Sequence, residues 1–297
     1  MKSFKELVQA AKKRGRRTCV VVCADDEAVL EGIRLAHDEG FVSPVLVGEA
    51  AEIRKLAAGI GFDLKQAEIH NETDVQRALE KAISIVKERG DFLMKGMLSS
   101  SAFLRGVLNK EWGLRTGKIL SHVAAFEIPG YHKLLFMSDG GMNPRLDLRT
   151  RIDIINNAVE NLRKIGIERP KIGLVAASET VSPDMPETVD AAEIVKMNRT
   201  GQIDNCTIDG PFGFDVAVSK KAADIKKIES AIAGDVDFVL MPNISAANIW
   251  AKGLIYFAST KAAGMVAGAQ RPIIMLSRAD DPQTKLHSIA LGVMISI

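Results

Sequence analysis

Cysteine is scarce in this chain: Cys19, Cys23 and Cys206 are the only three among 297 residues, too few for a disulfide framework. Cys19 and Cys23 fall on one predicted strand, where four residues span about 13 Å, beyond the reach of a bridge. Buried, reduced thiols are therefore expected, and a redox role is not. Long apolar runs are missing as well, since none approaches the roughly 20 residues of a membrane-spanning helix. The opening "MKSFKELVQAAKK" is amphipathic and lacks the continuous apolar core of a signal peptide. Together these absences predict a cytoplasmic protein without a membrane partner. Charge of one sign is also absent, with 39 Lys and Arg against 37 Asp and Glu. The basic run "KKRGRR" at 12–17 has no interleaved aromatic residues, so it reads as the solvated end of a first helix and not as a nucleic-acid surface.

Several catalytic signatures are lacking too. The five histidines, His37, His70, His122, His132 and His287, are scattered without metal-ligand spacing, so no metal is expected. No Gly-x-Gly-x-x-Gly follows a strand, which removes support for a Rossmann nicotinamide site. "GLRTGKI" at 113–119 has three residues between its glycines, where a phosphate-binding P-loop has four, and Ile119 stands where a hydroxyl must reach the metal. The Gly-x-Ser-x-Gly elbow of serine hydrolases is absent.

What the chain does have is alternation. Short apolar runs at 18–24, 43–48, 91–95, 118–127, 132–139, 171–177, 205–209, 236–242 and 271–276 read as strands, most of them separated by helix-period segments. That pattern predicts an α/β fold with largely parallel strands. "SDGGMNPRLD" at 138–147 concentrates Gly, Asn and Pro ahead of a long helical pattern, a plausible hinge between two domains. "STKAAGMVAGAQRP" at 259–272 is a second small-residue passage, after which the final helix can return to the first domain.

Four strand-to-helix junctions carry candidate chemistry. In "IIMLSRADDPQTKLHSIALG" a strand opens onto Ser277, Arg278, Asp280 and Asp281, at the sheet edge where open α/β folds bind ligands. The arginine fork suits phosphate or carboxylate, or simply pairs with a neighbouring aspartate. In "MKGMLSSSAFLRGVL", Lys95 and Gly96 leave a strand, and Ser99, Ser100 and Ser101 offer hydroxyls at a helix start. Arg105 lies four residues past Ser101, on the same face. This spacing serves an anion or an ordinary N-cap with an exposed arginine. In "TIDGPFGFDVAVS", Gly210, Pro211 and Gly213 predict a tight turn. Phe212 and Phe214 there supply an acyl-chain surface or two core aromatics. In "LMPNISAANIWAKGLIY", Asn243 or Ser245 caps a helix bearing Asn248 and Lys252.

Taken together and in this order, "MKGMLSSSAFLRGVLNKEWGLRTGKILSHVAAFE", "IDGPFGFDVA", "LMPNISAANIWAKGLIY" and "SRADDPQTKLHSIAL" resemble the phosphate acetyltransferase and butyryltransferase family, closest to its butyryl-transferring branch. The resemblance implies a reversible exchange: acyl-CoA and inorganic phosphate give acyl phosphate and CoA. It implies a two-domain fold like that of isocitrate and isopropylmalate dehydrogenases, with a cleft between the domains, a homo-oligomer, and no cofactor or metal beyond the two substrates. The domains expected are 1–140 with about 263–297, and about 141–262. The family's Ser-Arg pair falls on Ser277 and Arg278, and its phosphate-site arginine on Arg105. Lys95, Ser99, Ser100, Ser101, Asn243 and Asn248 join the phosphate and CoA contacts; Pro211, Phe212 and Phe214 form the acyl pocket. The aspartate proposed as thiol base in acetyl enzymes is Thr284 here, which leaves Asp281 or His287 as the base. The Phe-bearing loop and "SRADDPQTK" favour butanoyl or branched acyl groups. Acetyl transfer, a catalytically silent CoA or phosphate sensor, and a metal-dependent dehydrogenase of the same fold are the competing readings.

Overall fold

The computed structural model describes residues 1–277 and 280–296. The first run alternates helix and strand: α1 (Phe4–Arg14), β1 (Arg17–Val22), α2 (Glu27–Asp38), β2 (Val42–Gly48), α3 (Ala50–Gly59), β3 (Glu68–Asn71), α4 (Val75–Glu88), β4 (Phe92–Lys95) and α5 (Ser100–Val107). Next come β5 (Ser121–Glu127), β6 (Leu135–Ser138), α6 (Leu148–Lys164), β7 (Lys171–Val175), α7 (Pro186–Arg199), β8 (Thr207–Phe212), α8 (Phe214–Val218), α9 (Lys220–Ile225), β9 (Phe238–Leu240) and α10 (Ile244–Phe257). The chain finishes with β10 (Lys261–Ala267), β11 (Ile273–Ile274) and α11 (Pro282–Ile295). Side-chain oxygens begin many of these helices: Asp26, Asp74, Asp147 and Asp281 accept the first free N–H groups of α2, α4, α6 and α11. Among the described residues no helix is long and apolar enough to cross a membrane.

Two compact units result. One comprises Phe4–Lys118 and the chain from Ala263 onward; the other comprises Met1–Ser3 and Ile119–Ala262. In the first, the strands lie in the order β3-β2-β1-β4-β11-β10, parallel except where β10 meets β11. Val22 is in register with Lys95, and Met94 with Ile274, so β1, β4 and β11 end side by side. The final helix α11 is buried from Lys285 to Ile295 and packs against α1 and α2, as a helix apolar on all sides must. In the second unit the order is β5-β6-β9-β7-β8, parallel apart from β5 with β6. Ser138 and Leu174 are both in register with Leu240, which brings the loops after β6, β7 and β9 to one edge.

Three local expectations need correction. The first unit's opening segment ends at Lys118, short of the expected 140, because β5 and β6 pair with each other and β6 pairs with β9. The segment 138–147 is therefore a loop inside the second unit and not a division between units. Gly210 and Pro211 lie within β8 and not in a turn after it, and only Gly213 marks the start of α8. Gly210 has φ +144°, and a Cβ there would lie 2.7 Å from the Leu174 carbonyl oxygen, so the glycine serves close strand packing.

One ion cluster gives the second unit a pH dependence. Asp235 meets Lys133 at 2.8 Å and His132 at 2.7 Å, and also pairs with Lys171 at the start of β7. Partial burial opposes its charge, yet Lys133, Lys171 and His132 outweigh that and hold the carboxyl well below the usual carboxylate range. A carboxyl depressed in the folded state stabilises above its unfolded pKa of about 3.9, and that contribution is lost as pH falls towards the folded value. Asp235→Asn should accordingly melt below wild type at pH 7, and the gap should close below about pH 4. A gap that stays constant across an acid melting series would count against this assignment.

Candidate active site

In the first unit the site is built where β1, β4 and β11 end. Lys95 closes β4 and is only 7% exposed, with Nζ 3.2 Å from the Gly96 carbonyl oxygen. The chain then crosses the end of β1: Gly96 N donates to Val22 O at 2.9 Å and Met97 N to Cys23 O at 2.7 Å. Ser99 caps α5 through Ala102 N at 3.1 Å, and Arg105 Nη1 donates to Ser101 Oγ at 2.8 Å. The two readings of this junction thus apply to different serines: Ser99 is the cap and Ser101 holds the arginine, while Ser100 is exposed at the first helical position.

Beyond β11, Ser277 and Asp280 are hydrogen-bonded to each other. Ser277 N donates to Asp280 Oδ2 at 2.8 Å, and Asp280 N returns to Ser277 O at 3.2 Å. Arg278, the arginine of the Ser-Arg pair, lies outside the described residues. Asp281 caps α11 by accepting from Thr284 N at 2.7 Å, so Thr284 is engaged with the neighbouring carboxylate through its backbone. A small pocket opens here, lined by Asp26, Val29, Met94, Lys95, Gly96, Leu276, Ser277 and Lys285.

His287 is not part of that lining. Its ring stacks on Phe4 at 4.3 Å, nearly parallel, because two residues along a helix turn it about 200° from Lys285. The stack sets the histidine ring against α1. Lys285 is the residue the motif reading missed. Its signal was present, a lysine at the head of the apolar run "LHSIALGVMI", four residues past the capping aspartate and so on the same helical face.

The second unit holds the remaining candidates. Asp139 is fully buried and accepts from Gly141 N at 2.9 Å, Met142 N at 2.8 Å, Asn143 Nδ2 at 2.6 Å and His122 N at 3.2 Å. It fixes the loop after β6. Asn248 Nδ2 ties α10 to that loop through Gly140 O at 3.1 Å, and Asn243 caps α10 through Ala246 N at 2.9 Å. Arg151 is buried, donating to Pro242 O at 2.9 Å and to Asp190 at 3.0 Å, which anchors the approach to Asn243. Pro211 is buried in β8, and Phe212 packs into the core with Phe126, Leu135 and Val239. Phe212 is thereby a core side chain and not acyl-pocket surface. Phe214, partly buried, packs against Trp250 with ring centroids 5.2 Å apart. At the start of α8, it is the aromatic of the two that keeps exposed surface.

Residues 3–91 and 72–293 match the family described as phosphate acetyl/butaryl transferase. The chain is 42% identical to phosphate butyryltransferase of Clostridium acetobutylicum over 297 residues, spanning all of this chain and 99% of the relative. The chain belongs to the phosphate acetyl/butaryl transferase family. Among solved structures, a branched-chain phosphotransacylase from Enterococcus faecalis V583 superposes with a TM-score of 0.82 at 26% identity, over 94% of this chain and 99% of that one. A 4-hydroxythreonine-4-phosphate dehydrogenase from Klebsiella pneumoniae, at TM-score 0.60 and 14% identity over 95% and 100% of the two chains, shares the fold alone. The α/β, dehydrogenase-like architecture expected from the sequence is thus shown.

Within this phosphate acetyl/butaryl transferase chain the thiols are poorly suited to nucleophilic work. Burial pushes the Cys23 and Cys206 thiols up to about 11, and raises the fully buried Cys19 further. Thiolate is the reactive form, and burial disfavours it at all three. The candidate phosphate contacts of the first unit are instead cationic or hydroxylic: Lys95, Ser99, Ser100, Ser101, Arg105 and Ser277.

Proposed function

We propose that the chain reversibly transfers a short acyl group, butanoyl or a branched relative, between CoA and inorganic phosphate. The full-length 42% identity to a phosphate butyryltransferase carries this reading, and the branched-chain phosphotransacylase supports the wider acyl range. In the synthetic direction a phosphate oxygen bonds to the thioester carbonyl carbon, giving a tetrahedral oxyanion. The carbon–sulfur bond then breaks and the CoA sulfur leaves with the electron pair and takes up a proton. Negative charge gathers on phosphate and oxyanion together. Arg105, Arg278 and Lys95 neutralise it, and the Ser277 hydroxyl donates to it. Guanidinium groups orient phosphate as well as attract it. The substrates supply all the chemistry, so no cofactor or metal is needed.

Transfer is direct, in a ternary complex; all three cysteines are buried, which disfavours an acyl-thiol intermediate. Phosphate-independent acylation of the protein by butanoyl-CoA would contradict this. The function as a whole is tested by phosphate-dependent CoA release from acetyl-, propionyl-, butanoyl- and isobutanoyl-CoA. A maximum at four carbons supports the reading, and a maximum at two makes the chain an acetyl enzyme. Neighbouring chain lengths differ by about 10–200-fold at most, because one methylene is worth about 1–3 kcal/mol in an apolar pocket.

Asp281 is the base assigned to the CoA thiol in the reverse direction. Asparagine at 281 can still cap α11, so Asp281→Asn should fold normally yet lose about a hundredfold in turnover, the lower end for general-base catalysis. An unchanged rate and pH profile would leave Asp281 as a helix cap only.

The chain also assembles with itself. Helix α10, "ISAANIWAKGLIYF", buries only Ala247 and exposes Ile249 and Phe257, the latter 92%. Exposed apolar surface of this kind on one helix is covered in a homo-oligomer. Ile249→Glu with Phe257→Glu should halve or further reduce the mass in light scattering; a monomeric wild type would remove the proposal.

A further inference from the structure

A lysine inside a buried helix carries a cost. Lys285 is 2% exposed, and an ammonium taken from water must be hydrogen-bonded to be tolerated. Helix α2 is notched for its stem: a Cβ on Gly32 would lie 2.6 Å from Lys285 Cβ, so the glycine leaves room that any side chain would fill. The head donates to the main-chain oxygen of Asp280. Asp280 in turn grips Ser277 from both sides, accepting its N–H at 2.8 Å and donating to its carbonyl at 3.2 Å. The ammonium therefore holds Asp280, which in turn holds Ser277. Lys285 also lines the same pocket as Ser277 and Lys95.

A purely structural filler at this position would be better served by methionine, which fills the notch without desolvating a charge. We propose that Lys285 is a positioning residue for acyl transfer: by clamping the Asp280 carbonyl it fixes the residue that holds Ser277 at the pocket. The proposal rests on the acyl-transfer reading above. Orientation of a reacting pair is sensitive to displacements of about 1 Å, which can cost about a hundredfold in rate. The clamp thus belongs to kcat and not to substrate affinity or fold stability.

The test compares Lys285→Met, Lys285→Arg, Asp280→Ala and the Lys285→Met/Asp280→Ala double variant in the full chain. It reads kcat and KM for phosphate and butanoyl-CoA separately, with thermal melts alongside. Lys285→Met should lower kcat by about 10- to 100-fold while KM for butanoyl-CoA stays within about twofold. Arginine should recover part of the loss. The double variant should fall little below the worse single one, since both changes release Ser277. A folded Lys285→Met protein with wild-type kcat overturns the proposal. So does a double variant whose losses multiply in full. Should Lys285→Met fail to fold, Lys285→Arg and Asp280→Ala decide: wild-type kcat in Asp280→Ala overturns the clamp, and a kcat-selective loss there with partial activity in Lys285→Arg supports it. Absence of phosphate-dependent CoA release from the wild type would instead overturn the acyl-transfer reading, an outcome distinct from any difference among variants.

Discussion

Arg278→Lys should lose about a hundredfold or more in phosphate-dependent CoA release, and Arg278→Ala about a thousandfold, within the range for removing one preorganised donor from a transition-state oxyanion. The lysine variant is the more informative of the two. It keeps the positive charge, so long-range attraction of phosphate and CoA is retained, and only the paired, parallel donors are lost. If charge alone mattered, lysine would restore most of the rate. If orientation matters, KM for phosphate changes little in Arg278→Lys while kcat falls, because the bound phosphate no longer faces the thioester carbonyl. The neighbouring hydrogen bonds run between Ser277 and Asp280 and use no atom of the arginine side chain. A near-normal kcat in Arg278→Lys, measured at saturating phosphate and butanoyl-CoA, would remove the orienting role.

The central strands were legible because each is a short apolar run bounded by turn residues. β3 and β10 were not. β3 reads "EIHN", charged at one end and only partly buried, as suits the edge of a sheet. β10, "KAAGMVA", is buried from Ala262 onward, yet its small residues look like a linker in the sequence. Contacts at helical spacing were equally legible: Ser101 with Arg105, and Asn243 as the cap of α10, follow from counting residues. Those that depend on tertiary approach were hidden. Asp139 organises its loop partly through the backbone of His122, seventeen residues earlier. Lys285 needs the gap left by Gly32 in α2. Phe212 and Phe214 differ by two positions, and only packing against Phe126 and Trp250 shows that one belongs to the core and the other keeps exposed surface. The sequence alone left Arg278 a choice between phosphate and a neighbouring aspartate. Asp280 accepts from Ser277 N, and Asp281 caps α11.

Gly96→Ala should be among the most damaging single substitutions available. A Cβ on Gly96 would lie 2.1 Å from the Cys23 carbonyl oxygen and 2.6 Å from that of Val22. Both are backbone atoms, so no rotamer change can make room. The chain leaving β4 must lift away from the end of β1, which breaks Gly96 N to Val22 O and Met97 N to Cys23 O. Overpacking of this kind costs about 1–3 kcal/mol, and each lost hydrogen bond about 0.5–1.5 kcal/mol more. The same displacement carries Lys95 and the Ser99 start of α5 with it, so activity should fall further than stability accounts for. Gly59→Ala is the matched control: at the end of α3 a Cβ meets nothing within 4 Å, and loss of a glycine there should leave the melting temperature unchanged or raise it. Measured side by side, a Gly96→Ala protein that melts with Gly59→Ala and turns over normally would show that β4 and β1 can part without disturbing the site. A large drop in melting temperature together with loss of turnover would place the close approach of these two strand ends at the foundation of the candidate phosphate pocket.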